Sequence, residues 1–84
     1  MADTFQIDIV TPEKQILSQR AEYAEIPGKD GYMGILPGHA ALLSMLGDGE
    51  MSYRVDGKTS KLQVHGGYLE VRDDHVRVLA DQAE

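Results

Sequence analysis

Apolar and polar residues alternate along much of this 84-residue chain. Near its start, Phe5, Ile7 and Ile9 are separated by Gln6 and Asp8. Because successive side chains of a β-strand point to opposite faces, this alternation predicts a strand with one buried face. Related patterns predict further strands at residues 16–21, 23–26, 51–55, 61–65, 68–72 and 75–79.

Turn-forming residues separate these segments. Asp56-Gly57 lies between two alternating runs and predicts a two-residue hairpin, since both residues accept the positive φ of a type I′ turn. Other turns are predicted at residues 11–13, 27–31, 47–49 and 73–74. Such a succession of short strands favours an all-β fold, either a sandwich or a barrel, over an α/β fold.

The segment 40–46 does not fit this pattern, because it is rich in Ala, Leu and Met, which favour helices. Pro37-Gly38 before it and Gly47 after it limit a helix to about two turns, and so short a helix is marginal without packing. The residues alone therefore leave a short helix and an extended segment equally open.

An extended segment here would have a consequence for function. Alternate side chains of a strand point to opposite faces. The closely spaced apolar residues of this segment therefore cannot all enter one thin core, and some must face outward: Leu42, Leu43, Met45 and Leu46. An outward apolar patch is typical of a surface that another protein covers.

Length and composition restrict the class of protein. A chain of 84 residues makes one domain with a small core. It has no cysteine, which excludes disulfides and thiolate-bound zinc and fits a reducing compartment. The 14 acidic and 8 basic residues give a net charge of −6, and the cations are spread along the chain. Nucleic acid is therefore not expected as a partner, since phosphate binding needs a basic patch.

Two further features concern the cell compartment. The longest apolar run, residues 40–43, is too short to span a bilayer. The N-terminal residues 1–4 lack the basic and apolar pattern of a signal peptide. These features predict a soluble intracellular protein, which can still sit on a membrane complex.

No residue pattern points to catalysis or to a metal. His39, His65 and His75 lack metal-ligand spacing, the serines lie outside nucleophile motifs, and no phosphate-binding loop occurs. We therefore predict no catalytic, cofactor-binding or metal site. His75, beside the predicted turn at 73–74, is expected to be solvated. His39 follows Pro37-Gly38, so it either closes a turn through hydrogen bonds or belongs to a contact surface.

Two glycine-rich segments carry a family resemblance. Residues 31–39 read Gly-Tyr-Met-Gly-Ile-Leu-Pro-Gly-His, residues 66–71 read Gly-Gly-Tyr-Leu-Glu-Val, and residues 78–81 read Val-Leu-Ala-Asp. Together they closely resemble the epsilon subunit of rotary ATP synthases over nearly the whole chain. The resemblance implies that family's N-terminal domain, a single small β-sandwich of short, mostly antiparallel strands over residues 1–84. It also favours a strand or an irregular extended segment at 40–46.

The resemblance implies a non-catalytic subunit of the central stalk, or rotor. Such a subunit binds the gamma subunit and the polar loops of the c-ring, and couples proton or sodium flow to ATP synthesis. It contacts the membrane only through the complex, at the cytoplasmic face of the bacterial inner membrane or the equivalent face of an organelle. The implied gamma-facing residues are His39, Leu42 and Ser44. The implied ring-facing loop is Gly28, Lys29, Asp30, Gly31 and Tyr32.

The sequence departs from the family at two places. Tyr32 stands where some members have an acidic residue, so it can pack and hydrogen-bond but cannot pair with a cation. Many members continue after the equivalent of Glu84 into a two-helix hairpin that carries inhibition of ATP hydrolysis and, in some, ATP binding. We therefore expect neither property here, and the chain is either a naturally short member or a piece that ends at the domain boundary.

Two other classes of function are alternatives to this one. A small all-β metalloenzyme or sugar-binding barrel needs clustered histidines and a glutamate, a spacing that this sequence lacks. An independent adaptor that binds peptides along a sheet edge remains an alternative. Such an adaptor would bind short peptides in isolation, whereas a rotor subunit needs folded gamma.

Overall fold

The computed structural model describes residues 3–84, so the first two residues of the predicted 1–84 domain lie outside it. The described residues form eight strands and contain no helix. This confirms the all-β fold. The strands are β1 (Phe5–Val10), β2 (Gln15–Ala21), β3 (Tyr23–Gly28), β4 (Gly31–Ile35), β5 (Leu42–Met45), β6 (Asp48–Val55), β7 (Lys58–Arg72) and β8 (His75–Ala83).

The strands pair in the order β2-β1-β8-β7-β6-β3-β4, and β5 pairs with β7. All of these pairs are antiparallel except β1 with β8, which run parallel from Gln6↔His75 to Val10↔Leu79. Strand β1 thus lies between β2 and β8, and its buried and half-buried residues alternate because successive side chains point to opposite faces of the sheet. Within residues 3–84 no helix is long and apolar enough to cross a membrane.

Strand β7 is 15 residues long and replaces two predicted strands, 61–65 and 68–72. The glycines between them, Gly66 and Gly67, keep φ values of 65° and 115° without ending the strand. A Cβ added to Gly67 would lie 2.9 Å from the Cα of Ala80 and would overlap the carbonyl oxygen of Leu79. Glycine is needed here because β8 passes too close for any side chain.

The predicted turn at residues 47–49 is wrong. Strands β5 and β6 pair with β7 in the same register, from Leu42↔Val71 to Val55↔Lys58, so the chain does not reverse at Gly47. A Cβ on Gly47 would lie 2.7 Å from the carbonyl oxygen of Gly28. This glycine therefore allows another backbone to approach closely, and does not reverse the chain.

The other predicted turns are confirmed. Asp56-Gly57 joins β6 to β7 with φ values of 51° and 77°, and Asp73-Asp74 joins β7 to β8 with φ values of 52° and 56°. Positive φ at both central residues is the mark of a type I′ hairpin. The turn at 27–31 closes the β3–β4 hairpin at Gly28↔Gly31. At 11–13 the chain bends before β2, and the Thr11 amide donates to the Lys14 carbonyl at 2.9 Å.

The core is formed by apolar residues from the inner face of each layer. Every buried side-chain nitrogen and oxygen of the described residues has a hydrogen-bond partner. No buried side-chain polar group of the described residues is therefore left unpaired in the core. Its members are Phe5, Ile7, Ile9, Ala21, Ala24, Ile26, Ile35, Leu46, Met51, Val64, Leu69, Val71, Val76, Val78 and Ala80.

Candidate functional site

Strand β5 resolves the alternatives for segment 40–46. Residues 42–45 form a strand and not a short helix. Their side chains alternate, because Leu42 and Ser44 are half-buried while Leu43 is 73% exposed and Met45 48% exposed. The expectation that some apolar residues of this segment face outward is confirmed for Leu43 and Met45.

The outward residues of β5 continue across two neighbouring strands. The register places Met45 opposite Tyr68 on β7, and Tyr68 opposite Leu79 on β8. Directly opposite residues share a face of the sheet, so these three side chains form one row. Tyr68 is 54% exposed and Leu79 36%. Leu43 lies two residues before Met45 on the same face. We call these four residues the apolar patch: Leu43, Met45, Tyr68 and Leu79.

A depression of about 300 Å³ adjoins the apolar patch. The residues that line it include Tyr68 and Leu79 of the patch, together with Val10 and Pro12. A soluble protein usually keeps such groups apart, whereas a contiguous apolar row beside a depression suits contact with another protein. The patch is thus the strongest candidate for a functional surface in residues 3–84.

Charged residues occupy the next rows of the same face. Glu70 lies opposite Leu43 and Arg77, and the Arg77 guanidinium is 3.7 Å from the Glu70 carboxylate. In the following row Arg72 lies opposite His75. The face therefore changes from apolar to ionic over about four residues of each strand, a polarity that can fix the orientation of a bound partner.

His75 is not simply solvated, as the sequence predicted. Its Nε2 lies 2.6 Å from Oδ2 of Asp8, across the parallel pair of β1 and β8. The side chain of Ser18 hydrogen-bonds to Asp8 and, with Gln6 and His75, lowers the pKa of the Asp8 carboxyl from its ordinary 3.8 to about 2. These partners outweigh burial, which acts in the opposite direction. The contact between Asp8 and His75 could not be predicted from the sequence, since the two residues are distant along the chain.

His39 lies in the loop that leads into β5. Its amide donates to the carbonyl of Leu36 at 3.1 Å, and its Nδ1 lies 2.8 Å from the carbonyl oxygen of Ala40, so this ring nitrogen carries a proton. The turn-closing role is therefore present. The side chain is half-buried at the N-terminal end of β5.

The loop 28–32 lies at the opposite end of β5. The amide of Lys29 donates to the carbonyl of Met45 at 3.0 Å, which ties this loop to the edge of the apolar patch. The side chain of Tyr32 is 57% exposed. Strand β5 therefore connects the predicted gamma-facing residues at one end with the predicted ring-facing loop at the other.

Sequence reasoning named some members of this surface and missed others. His39, Leu42 and Ser44 lie along β5 or just before it, but Leu42 and Ser44 turn toward the inner side. Tyr68 and Leu79 were not identified as surface residues. The signal that could have found Tyr68 is its position beside the apolar Leu69 in a strand, which sends one of the two outward.

The described residues offer little for metal chemistry. Within the range 3–84, no group of three or more His, Cys, Asp or Glu side chains is arranged to hold a metal ion. The features of the surface are instead those of a protein interface, with an apolar centre and a charged margin.

Comparison with known families identifies what the chain resembles. Residues 4–84 match the family described as "ATP synthase, Delta/Epsilon chain, beta-sandwich domain". The chain is 48% identical over 84 residues to the ATP synthase epsilon chain of Solibacter usitatus, covering all of this chain and 63% of that protein. It is 51% identical to the epsilon chain of Koribacter versatilis, covering 59% of it. It thus spans about six-tenths of the length of these relatives.

Two solved structures share the fold. A chain of the Euglena gracilis mitochondrial ATP synthase, in a structure of OSCP/F1/c-ring, superposes with a TM-score of 0.93 at 22% identity, covering 100% of this chain and 54% of that one. A chain from the central stalk and c-ring of the Tetrahymena thermophila mitochondrial enzyme gives 0.78 at 17% identity, covering 94% and 64%. At these identities the likeness shows the fold alone.

Proposed function

Because the chain belongs to the β-sandwich domain family of ATP synthase delta and epsilon chains, we propose that it is a central-stalk subunit of a rotary ATP synthase. In this role it has no catalytic site of its own. It joins the gamma subunit to the c-ring, so that the flow of protons or sodium ions is coupled to ATP synthesis. The apolar patch is the single observation that supports this docking role most strongly.

The gamma subunit is the partner proposed for the surface along β5. His39, Leu42 and Ser44 are its predicted contacts, and we add Leu43 and Met45 to the proposal because their side chains are exposed. A stable interface buries about 800 Å² on each partner, and the whole described surface measures 5096 Å². Four apolar side chains cannot supply that area, so the contact must extend along β5 and into the flanking loops.

The loop 28–32 is the proposed contact with the c-ring. Its residues Lys29 to Tyr32 are exposed at the tip of the β3–β4 hairpin. Tyr32 offers a ring for packing and a hydroxyl for hydrogen bonds, so it suits contact with a polar loop even though it carries no charge. The link from Lys29 to Met45 would keep this contact and the gamma contact in a fixed relation.

Coupling by such a subunit depends on stiffness. Torque passes from the ring to gamma only if the linking body does not shear, and a close-packed interior resists shear. The buried core and the unbroken register of the β5–β6 arm on β7 provide that rigidity. The subunit would lie at the cytoplasmic face of the bacterial inner membrane, or the equivalent face of an organelle, and would contact the membrane only through the complex.

Co-elution with a gamma subunit tests this proposal. The 84-residue chain and gamma, mixed at micromolar concentration, should leave a size-exclusion column as one complex. The chain should not bind short unstructured peptides, since the proposed contact uses the side chains of the apolar patch and not backbone pairing along the free edge of β5, which pairs only with β7 among the described strands. Separate elution would contradict the proposal, and binding of peptides without gamma would favour the adaptor alternative.

A further inference from the structure

The turn between β7 and β8 contains an unusual pair of residues. Asp73 and Asp74 both have left-handed backbone conformations, with φ of 52° and 56°. Glycine adopts such φ values at no steric cost, whereas a residue with a Cβ is disfavoured there. In the comparable β6–β7 turn the second position is indeed glycine, Gly57. Aspartate is tolerated in such a turn, but the side chain of Asp74 also makes a contact that glycine could not make.

Asp74 joins three parts of the chain. Its carboxylate Oδ1 accepts a hydrogen bond of 2.6 Å from the amide of Gly38, 36 residues earlier. Its main-chain carbonyl accepts one of 2.9 Å from the amide of Gln6 at the start of β1. Hydrogen bonds to a carboxylate are shorter and stronger than those between neutral groups. Only the bond to Gly38 depends on the identity of the side chain.

The loop 36–40 has little else to hold it. Its other hydrogen bonds among residues 3–84 are local ones, from the His39 amide to Leu36 and between the His39 ring and Ala40. A Cβ added to Gly38 would meet nothing within 4 Å, so the space beside this residue is open. The Asp74 carboxylate is therefore the long-range attachment of the loop that precedes β5.

We propose that Asp74 is a positioning residue, which holds the loop 36–40 on the β7–β8 turn and so orders His39 and the entry to β5 before a partner binds. This role rests on the proposed docking of gamma. Ordering a loop in advance removes the entropic cost of ordering it on binding and so raises affinity. The backbone strain of an aspartate at this position is retained because its side chain is needed.

Three variants of the 84-residue chain test this inference. Asp74→Gly removes the carboxylate and relieves the strained φ. Asp73→Gly relieves the same strain at the neighbouring residue without touching Gly38, and is the matched control. Asp74→Asn keeps a side-chain oxygen that can accept from Gly38, and asparagine tolerates positive φ. Amide exchange of Gly38 by NMR and affinity for gamma are measured for each.

We expect Asp74→Gly to speed exchange of the Gly38 amide about tenfold or more, because the amide loses its acceptor. The same variant should bind gamma about fivefold more weakly while its midpoint of urea unfolding stays equal or rises. Asp73→Gly should leave both exchange and affinity unchanged, and Asp74→Asn should recover most of the affinity. A fold defect alone would not give this combination.

The results that overturn the inference differ from those that overturn the proposed function. If Gly38 exchange is the same in Asp74→Gly and in the parent chain, the attachment does not exist. If exchange rises but gamma binds both chains equally, Asp74 does not position the docking surface. If the parent chain itself fails to bind gamma, the proposed function is wrong, whatever happens at Gly38.

Discussion

The outer faces at the two ends of β7 differ in character although one strand contributes to both. Beside the C-terminal half lies the apolar patch, which contains Tyr68 and two exposed residues of β5. Beside the N-terminal half the outward residues are polar, and we call four of them the polar face: Glu50, Arg54, Lys61 and His65. Here Lys61 lies 4.0 Å from Glu50, and Arg54 lies 3.7 Å from Glu22.

The inner sides of these two regions do not differ in the same way. Val64 in the N-terminal half and Leu69 in the C-terminal half are both fully buried in the core. The folded core therefore accounts for the apolar residues on the inner side at both ends of β7. It does not account for the difference between the two outer faces. The contrast between the apolar patch and the polar face supports the proposal that the patch contacts a partner, since a free surface would favour the polar pattern.

The largest expected effect concerns the point where the two halves of β7 meet. Replacing Gly67 by alanine would place a Cβ against Leu79 and Ala80 and would force a side chain into φ of 115°. We expect the free energy of unfolding to fall by about 3 kcal/mol or more. Urea unfolding followed by circular dichroism measures this. A loss below about 1 kcal/mol would show that the two halves are not held in one rigid strand.

The second prediction compares the two faces directly. Leu43→Asp, on the apolar patch, should weaken gamma binding by about 2–3 kcal/mol, since a charge would be desolvated without a partner. Thr59→Asp, on β7 opposite Arg54, is the control and should change binding by less than about 0.5 kcal/mol. Isothermal titration calorimetry gives both values. Equal losses of gamma binding in the two variants would show that the apolar patch and the polar side of the sheet do not differ in docking.

The patch prediction also sharpens the assignment of individual residues on β5. Leu42 packs partly against the core, whereas Leu43 faces outward. Leu42→Asp should therefore lower stability as well as binding, and Leu43→Asp should lower binding alone. If Leu42→Asp remains as stable as the parent chain and Leu43→Asp unfolds, the inward and outward sides have been assigned the wrong way round.

The third prediction concerns Asp8 and its contact with His75, in the charged rows beside the apolar patch. The pKa of Asp8 is lowered to about 2, so its stabilising effect is complete above pH 3.8 and is lost as the pH falls through about 2. Asp8→Asn should cost at most about 2 kcal/mol at pH 7 and should flatten the loss of stability between pH 4 and pH 2. Urea unfolding across this range measures it. If Asp8→Asn loses stability between pH 4 and pH 2 as steeply as the parent chain does, the lowered pKa of Asp8 is contradicted.

The smallest effects are expected on the polar face. Lys61 and Glu50 are exposed and 4.0 Å apart, so their ion pair is screened by water and salt. Lys61→Gln should change the free energy of unfolding by less than about 0.5 kcal/mol, and this difference should vanish at high salt. A change above about 1 kcal/mol would mean that the polar face contributes to folding, unlike the apolar patch.

Much of the fold could be predicted from sequence because local rules dominate it. Alternation placed β1 and the core positions Phe5, Ile7 and Ile9 correctly, and the Asp56-Gly57 turn was confirmed with its type. Gly66-Gly67 and Gly47 were wrongly predicted to interrupt strands. The sequence does not distinguish a glycine that makes room for a neighbouring backbone from one that reverses the chain. The family resemblance, and not the residues alone, favoured an extended segment at 40–46.

The candidate site was less accessible to sequence reasoning because it depends on pairing between distant segments. The row of Met45, Tyr68 and Leu79 exists only through the register of three strands. The contacts of Asp8 with His75 and of Asp74 with Gly38 also join positions far apart in the chain. The gamma-facing residues His39, Leu42 and Ser44 and the ring-facing loop 28–32 stay predictions.

The parallel pairing of β1 with β8 has a consequence for synthesis on the ribosome. Strand β1 leaves the exit tunnel early, yet its neighbour on one side is residues 75–79, which are translated far later. Until then β1 can pair only with β2, and its apolar face stays uncovered. The sheet can therefore be completed only after residues 75–79 have left the ribosome, and until then the β1–β2 hairpin is the part of the domain that a chaperone would shield most.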